Sequence, residues 1–517
     1  MALPNQLFPW DDYFPRMAEA DWLAGRSDIM SAKTFFIRQA PFGGSYAVLG
    51  GIIDALRQID KLRFYADGFI DGMLDMGYRP DFIDWLVKRD KLKVQVYAPL
   101  EGTLIFPNEP AVTVVGALPD IRLVEGILTE ALNFATLALT KWHRLVWTVR
   151  PGQVMDFSRR RSQNTYKSTI SAILAGCSST SNSEMRRFID CRVSGTMGHE
   201  WVQSFGDVAM AFDTWLTVQP RKAIGLVDTL QCMKHDFPLW LNAVYKHRER
   251  IKEADPVIWG WRNDSGDLAK LSIDQWTLFL KHPLAQDPWF VERCHIILTN
   301  DLDEYAAEDI IWQINKQLGF EDAGQILSKI IWAAGTKPGT CFDQPSLGGV
   351  AKLVEVEGSA CIKLAFDSYG HPSIKTSIPG FNLSSLIYNY NENNPLGLLI
   401  YPINEYGPAN DMTNISKVPL EGFPVDNKNL SLNLAQYKMK RRQSLVFDSL
   451  SEKPVLVSEK WKDVEIDEVP KYIASQVSDL SWEMTRLEKP QEMPVYLTPD
   501  LWHLRKEMID TNSLIEK

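Results

Sequence analysis

A few short segments concentrate the side chains that could grip or move phosphate. Arg159, Arg160 and Arg161 form one. Ser179-Thr180-Ser181-Asn182 forms a second, and Gly195-Thr196-Met197-Gly198-His199-Glu200 a third. Further along stand Asp228, Arg262 with Asp264-Ser265-Gly266-Asp267, Thr299-Asn300-Asp301, and Gly335-Thr336-Lys337. Arginine forks hold phosphate oxygens at two points. A Gly-Thr pair before a helix offers backbone N–H groups and the positive helix end to an anion. Asp228, Asp264 and Asp267 are of a type to hold ribose hydroxyls or Mg²⁺. His199 is a candidate general base, or a nucleophile towards phosphorus. Each has a plainer reading alone: an arginine triplet is usually a solvated face, Asp-Ser-Gly-Asp a turn and cap, and a lone histidine structural. Together they suit a substrate with several phosphates and a divalent metal.

These segments are positioned by the elements before them. Most follow a short apolar run: 154–157, 223–227, 257–261, 295–298 and 330–334. Polar clusters and helical patterns separate the runs. Strands alternating with helices predict βαβ units and a parallel sheet, and this many units predict a TIM-like α/β barrel, with function at the carboxyl ends of its strands. Three regions differ in texture: 1–150, 151–345 and 346–517. In the first, Val48, Leu49, Ile52, Ile53, Leu56 and Ile59 fall on one helical stripe. Leu92, Val94 and Val96 alternate as a half-buried strand, and Val124 to Val146 reads as a helix. In the last, Asn389 to Pro395 reads as turn, two helical stretches lie near the end, and Lys438, Lys440, Arg441 and Arg442 read as a solvated helix face.

A chain of 517 residues corresponds to about two to four domains. Its net charge of −10 argues against a nucleic-acid binder, although a few converging cations still suffice for phosphate. The six cysteines form no Cys-x-x-Cys pair, so they are expected to be reduced thiols of a cytoplasmic protein. MALPNQLFPW lacks the features of a secretory leader, and no apolar run is long enough to predict a membrane span. The P-loop, the dinucleotide fingerprint and His-Glu-x-x-His are missing; Gln203 stands where the second histidine would be. Composition and spacing therefore reach a phosphate-handling α/β-barrel enzyme and stop there.

The same segments resemble those of the nicotinate phosphoribosyltransferase family, almost from end to end. Asp11, Tyr13 and Met17 match its opening Asp-Leu-Tyr-x-x-Thr-Met. FIRQAPFGGSY (36–46) is similar to Arg-Lys-x-Pro-Phe-Gly-Gly-x-Tyr, and PLEGTLIFPNEP (99–110) to Pro-Glu-Gly-Thr-x-x-Phe-Pro-Asn-Glu-Pro. Arg160, Arg161 and Gln163, then Thr180-Ser181-Asn182 and GTMGHEW (195–201), follow in order. LVDT (226–229), Arg262 with DSGDL (264–268), NDLDE (300–304), DQPSLGGVAKLV (343–354) and the segment 501–508 complete the series. Arg16, the additional Arg159, Lys337-Pro338 and Ala351 depart from the pattern.

The resemblance implies an irregular α/β barrel flanked by an α/β sandwich domain built from both N- and C-terminal segments, with a small further domain. It implies transfer of the ribose phosphate of phosphoribosyl pyrophosphate to nicotinate, with Mg²⁺ and with ATP as co-substrate through phosphorylation of His199. His199, Asp228 and Arg262 would be catalytic. Tyr13, Arg160, Arg161, Ser181, Asp264, Asn300, Gly335 and Thr336 would bind substrate. A homodimer would place the site at the subunit interface. The rival substrate is nicotinamide: those enzymes resemble this chain but carry Asp at the position of Ser181, and a carboxylate there would repel nicotinate. A second rival is an inactive relative kept as a scaffold, against which the presence of His199, Asp228 and Arg262 speaks.

Overall fold

The computed structural model describes residues 7–366, 368, 373, 375–389, 394–403, 421–424, 432–433, 437–449 and 466–513. The chain forms two compact units, residues 1–140 with 346–517, and residues 141–345. The first boundary falls inside the helix Leu118–Thr148. This helix is long and apolar enough to cross a membrane, yet its most apolar window is 72% buried within the protein, as a core helix is.

In the unit made from both chain ends, Met30–Phe36 lies antiparallel between Val112–Ala117 and Val350–Val356. Val94–Ala98 pairs with Val112–Ala117 and with Ser444–Asp448. Val94 and Val96, predicted to face inward, are fully buried. A second sheet centres on Pro395–Pro402, flanked by Asn382–Asn389 and Val495–Leu497. Two expectations are corrected here. The helical stripe begins later, at Ile52–Lys61, because Val48 pairs with Leu104 in a short strand. The buried Glu101 carboxylate then accepts the Gly51 and Ile53 amides at the helix start, and burial raises its pKa to about 7. The basic run is not a helix face. Tyr437–Arg441 is a strand paired with Asn382–Asn389, and Arg442 beyond it is buried on the Glu109 carboxylate at 2.5 Å. The expected turn at 389–395 lies largely outside the described residues. Of the two helical stretches expected near the end, the one holding the basic run is therefore absent; helices there are Glu468–Ser478 and Pro499–Ser513.

The other unit holds six parallel strands: β1 (Gln153–Asp156), β2 (Ser179–Thr180), β3 (Ile224–Leu226), β4 (Trp259–Asn263), β5 (Cys294–Leu298) and β6 (Ile330–Ala334). Their order is β2-β1-β6-β5-β4-β3. Their near-continuous apolar character follows from burial on both faces; all five residues of β6 are buried. The barrel is irregular in a definite way: its edge strands β2 and β3 are two and three residues long, and among the described residues they do not pair with each other. Helices Thr165–Ala175, Val208–Val218, Leu268–Leu280 and Glu304–Leu318 intervene, capped by the side chains of Asn164, Asp207, Asp267 and Asp303. Gly225 has no substitute, since a Cβ there would lie 2.3 Å from the buried Trp240 ring. Inside this unit Lys141 and Arg144 both reach the fully buried Glu304, at 2.9 and 2.8 Å, which ties the Glu304–Leu318 helix down.

Candidate active site

The centre of the site is built on the end of β4. Strand alternation sends Trp261 and Asn263 to one face and Arg262 to the other. Asn263 and Gln275, both fully buried, exchange amide hydrogen bonds: Gln275 Nε2 donates to Asn263 Oδ1 at 2.9 Å and Asn263 Nδ2 to Gln275 Oε1 at 2.8 Å. Trp261 Nε1 donates to the same Gln275 oxygen at 2.8 Å. This lock fixes the strand end that carries Arg262 and Asp264. Arg262 donates from Nη1 to Thr196 Oγ1 at 2.6 Å, and its Nη2 lies 3.4 Å from Asp264 Oδ2.

Asp228, just past β3, holds the next turn. Its Oδ2 accepts the Asp264 amide and the Ser265 hydroxyl, each at 2.7 Å. His199 opens the helix His199–Ser204. Its Nδ1 lies 3.1 Å from Thr229 Oγ1, while Nε2 lies 3.5 Å from Asp264 Oδ2 and 3.9 Å from Asp228 Oδ1. Burial alone would raise the pKa of Asp264. The Thr299 hydroxyl and the charges of Arg262 and His199 outweigh it and hold the carboxyl below its usual range. Asp228 Oδ1 and Arg262 Nε are buried without hydrogen-bond partners among the described residues. Such groups cost about 1–3 kcal/mol each unless a ligand satisfies them. A Mg²⁺ ion is typically held by one or two carboxylates together with substrate phosphates, and the free Oδ1 of Asp228 beside Asp264 fits that donor set.

The neighbouring strand ends form the flank. Asp156, fully buried at the end of β1, accepts the Ser158 amide on Oδ1 and the Thr180 hydroxyl on Oδ2, each at 2.7 Å. It thereby ties the 158–161 loop to β2, although burial pushes its pKa up. Arg159 Nε donates to the buried Asn182 Oδ1 at 3.1 Å. Arg160 and Arg161 are exposed, with guanidinium groups that pair with no described residue. The Ser181 amide donates to the Asp156 carbonyl at 2.7 Å. Gly335 follows β6, where a Cβ would sit 2.9 Å from the Phe157 carbonyl oxygen, so only glycine lets the two strand ends run this close. Thr336 opens the five-residue helix Thr336–Thr340. Asn300 turns the chain off β5 at φ +98°, a left-handed conformation that asparagine tolerates better than most residues.

The structure thus brings His199, Asp228, Arg262 and Asp264 into one bonded cluster. Arg160, Arg161, Ser181, Asn300, Gly335 and Thr336 follow the carboxyl ends of other strands of the same sheet. Tyr13 belongs to the other unit, where it is half-exposed at the start of the helix Tyr13–Leu23. Asp267 is a helix cap, accepting the Lys270 amide at 3.0 Å, and is thereby accounted for structurally.

Residues 10–133 match the nicotinate phosphoribosyltransferase (NAPRTase) N-terminal domain. Over 513 residues the chain is 28% identical to nicotinate phosphoribosyltransferase of Bacillus subtilis, covering 98% of this chain and 96% of that protein. It is also 28% identical over 423 residues to the human protein of that name, covering 72% and 74% of the two. The chain is thus similar to nicotinate phosphoribosyltransferases over nearly its whole length. In fold it superposes on the crystal structure of human nicotinic acid phosphoribosyltransferase with a TM-score of 0.74 at 23% identity, covering 96% of this chain and 99% of that one. Nicotinate-nucleotide pyrophosphorylase from Pyrococcus furiosus gives a TM-score of 0.63 at 17% identity, covering 93% and 97%.

The motifs that resemble the nicotinate phosphoribosyltransferase family brought out the cluster residues but not what holds them. Thr229 closes the LVDT motif next to Asp228, and Thr299 stands in the Thr299-Asn300-Asp301 segment, but neither carried a role of its own. Asp156 was hidden in an apolar run. Gln275 sits in the middle of a helix with nothing in its neighbours to mark it.

Proposed function

We propose that this chain is a nicotinate phosphoribosyltransferase that couples the transfer to ATP hydrolysis and works as a homodimer with Mg²⁺. The observation that carries the reading is the convergence of His199, Asp228, Arg262 and Asp264 at the strand carboxyl ends, with two buried polar atoms left for a ligand. In the reaction the nicotinate ring nitrogen attacks the anomeric carbon as the bond to pyrophosphate breaks, through an oxocarbenium-like state. The ring nitrogen needs no strong base, so positioning and charge stabilisation supply most of the acceleration. Arg262 pairs with the carboxylate or a phosphate, Asp228 and Asp264 face the ribose, and the free guanidinium groups of Arg160 and Arg161 meet phosphate oxygens. Tyr13 is assigned to stack on the ring across the dimer. Mg²⁺, when bound, would neutralise charge on the departing pyrophosphate.

His199 attacks the γ-phosphorus of ATP; the N–P bond forms as ADP leaves, and water later releases phosphate. The favoured pyridine is the acid, because Ser181 puts no negative charge beside the carboxylate. Incubating purified protein with phosphoribosyl pyrophosphate and either pyridine, with and without ATP, tests all of this. Nicotinate mononucleotide should form in strong preference to the nicotinamide product. Equal turnover of the two pyridines refutes the specificity, and an active monomer by light scattering refutes the dimer.

A further inference from the structure

The barrel sheet is open along one side, and the opening is not featureless. Past β2, Val193 makes a parallel bridge with Thr180, so residues 192–196 run along the strand direction as a rudimentary extra strand. The other edge is β3. A narrow cleft is lined from both sides. Its middle is apolar: Met155, Ile224 and Ile297 are buried there, with Phe157 and Ile258 packed against them.

Its two ends differ in chemistry. At the strand amino-terminal end, Arg221 and Lys222 stand just before β3, while Arg192 lines the cleft beside Thr180, the last residue of β2. All three are exposed, and none pairs with a described residue. At the carboxyl-terminal end the cleft reaches Phe157 and Gly195-Thr196, where Thr196 Oγ1 receives Arg262 Nη1 at 2.6 Å. A basic mouth thus leads along apolar walls to the arginine of the reaction cluster.

We propose that this cleft is a separate door for the pyridine carboxylate, which enters from the amino-terminal side of the barrel. The inference rests on the proposed function and adds to it a route. An aromatic ring bearing one carboxylate suits such a passage: the cations attract the charge and the ring slides along apolar walls. Phosphoribosyl pyrophosphate does not suit it, since several phosphate charges would be desolvated in the apolar middle. The phosphates instead meet Arg160, Arg161 and Gly335 at the carboxyl ends. The two substrates then need not pass one another, and nicotinate can enter after phosphoribosyl pyrophosphate has bound.

The test is steady-state kinetics on the full-length Arg221→Glu/Lys222→Glu protein and on Val257→Trp, which places bulk at the exposed rim of the same mouth. The charge reversal should raise KM for nicotinate about tenfold, leave kcat and KM for phosphoribosyl pyrophosphate unchanged, and reverse the salt dependence of nicotinate use. Val257→Trp should raise KM for nicotinate alone. Unchanged nicotinate KM in both variants overturns the proposal, as does a shift in KM for phosphoribosyl pyrophosphate instead. Stopped-flow association of nicotinate separates this failure from failure of the functional reading. A wild-type protein that makes no nicotinate mononucleotide refutes the function, whereas an equal stopped-flow association rate of nicotinate in wild type and charge-reversal variant refutes the door.

Discussion

Asp228→Asn is the substitution whose cost can be worked from the geometry. The carboxylate accepts two hydrogen bonds on Oδ2, from the Asp264 amide and the Ser265 hydroxyl, each at 2.7 Å. Bonds to a charged acceptor contribute about 1.5–3 kcal/mol and neutral ones about 0.5–1.5. An asparagine that keeps its oxygen there therefore loses about 1 kcal/mol per bond, or about 2 in all. Its NH₂ group must then take the place of Oδ1, which is buried without a partner and lies 3.9 Å from His199 Nε2. An unmatched buried donor adds about 1–3 kcal/mol. If the sum, about 3–5 kcal/mol, falls on transition-state binding, kcat/KM drops by about 10²–10³ or somewhat more. Initial rates of nicotinate mononucleotide formation measure this, with circular dichroism to check the fold. Ser265→Ala removes one of the bonds outright at an exposed residue, costs about 1.5 kcal/mol, the low end for a charged acceptor, and should lower kcat/KM only about tenfold. An Asp228→Asn protein that folds normally and stays within about threefold of wild type, against the 10² expected, would refute the argument.

Thr299→Val removes the hydroxyl that helps hold Asp264 ionised. Because the folded-state pKa is depressed, the ionised form is lost only as pH falls through that low value. The variant's pKa is higher, so the acid limb of its pH–rate profile should move upward; an unmoved limb assigns that limb to another group. Ser181→Asp should depress nicotinate use and favour nicotinamide, because two like charges would face each other in a partly buried site; unchanged preference in competition assays counts against the role of Ser181. His199→Ala should lose both ATP stimulation and acid-labile protein phosphate while slow ATP-independent transfer persists. Labelled phosphate on another histidine, with ATP stimulation intact, would exclude His199.

Legibility in the sequence followed the physics of each element. The barrel strands were readable because burial on both faces makes them apolar runs, and the positions after them were readable because strand ends are where a barrel exposes side chains. His199, Asp228, Arg262 and Asp264 could be found for that reason. The opening between β2 and β3 could not: a two-residue strand has no periodicity to detect. The strand at Tyr437–Arg441 was mistaken for a helix face because its basic residues and Arg442 read as one charged run, and Glu109, the partner of Arg442, lies far away in sequence. The Asn263–Gln275 lock was invisible for the same reason, being a pairing of amides with no local pattern.

The strand pairing also sets an order of assembly. β1 pairs with β6, so Trp332 lies opposite Val154, and the barrel sheet is incomplete until the chain has passed that point. Lys33 lies opposite Leu353, so the first strand of the other unit waits longer still. Such distant contacts slow folding, because loop closure precedes any reward. During synthesis, then, the barrel is the unit that can finish first, while the opening segment of the chain must be kept from wrong partners until residues beyond 350 emerge. A chain halted at Pro345 would own every barrel strand and still leave Met30–Phe36 with one sheet edge bare, a template for unwanted pairing.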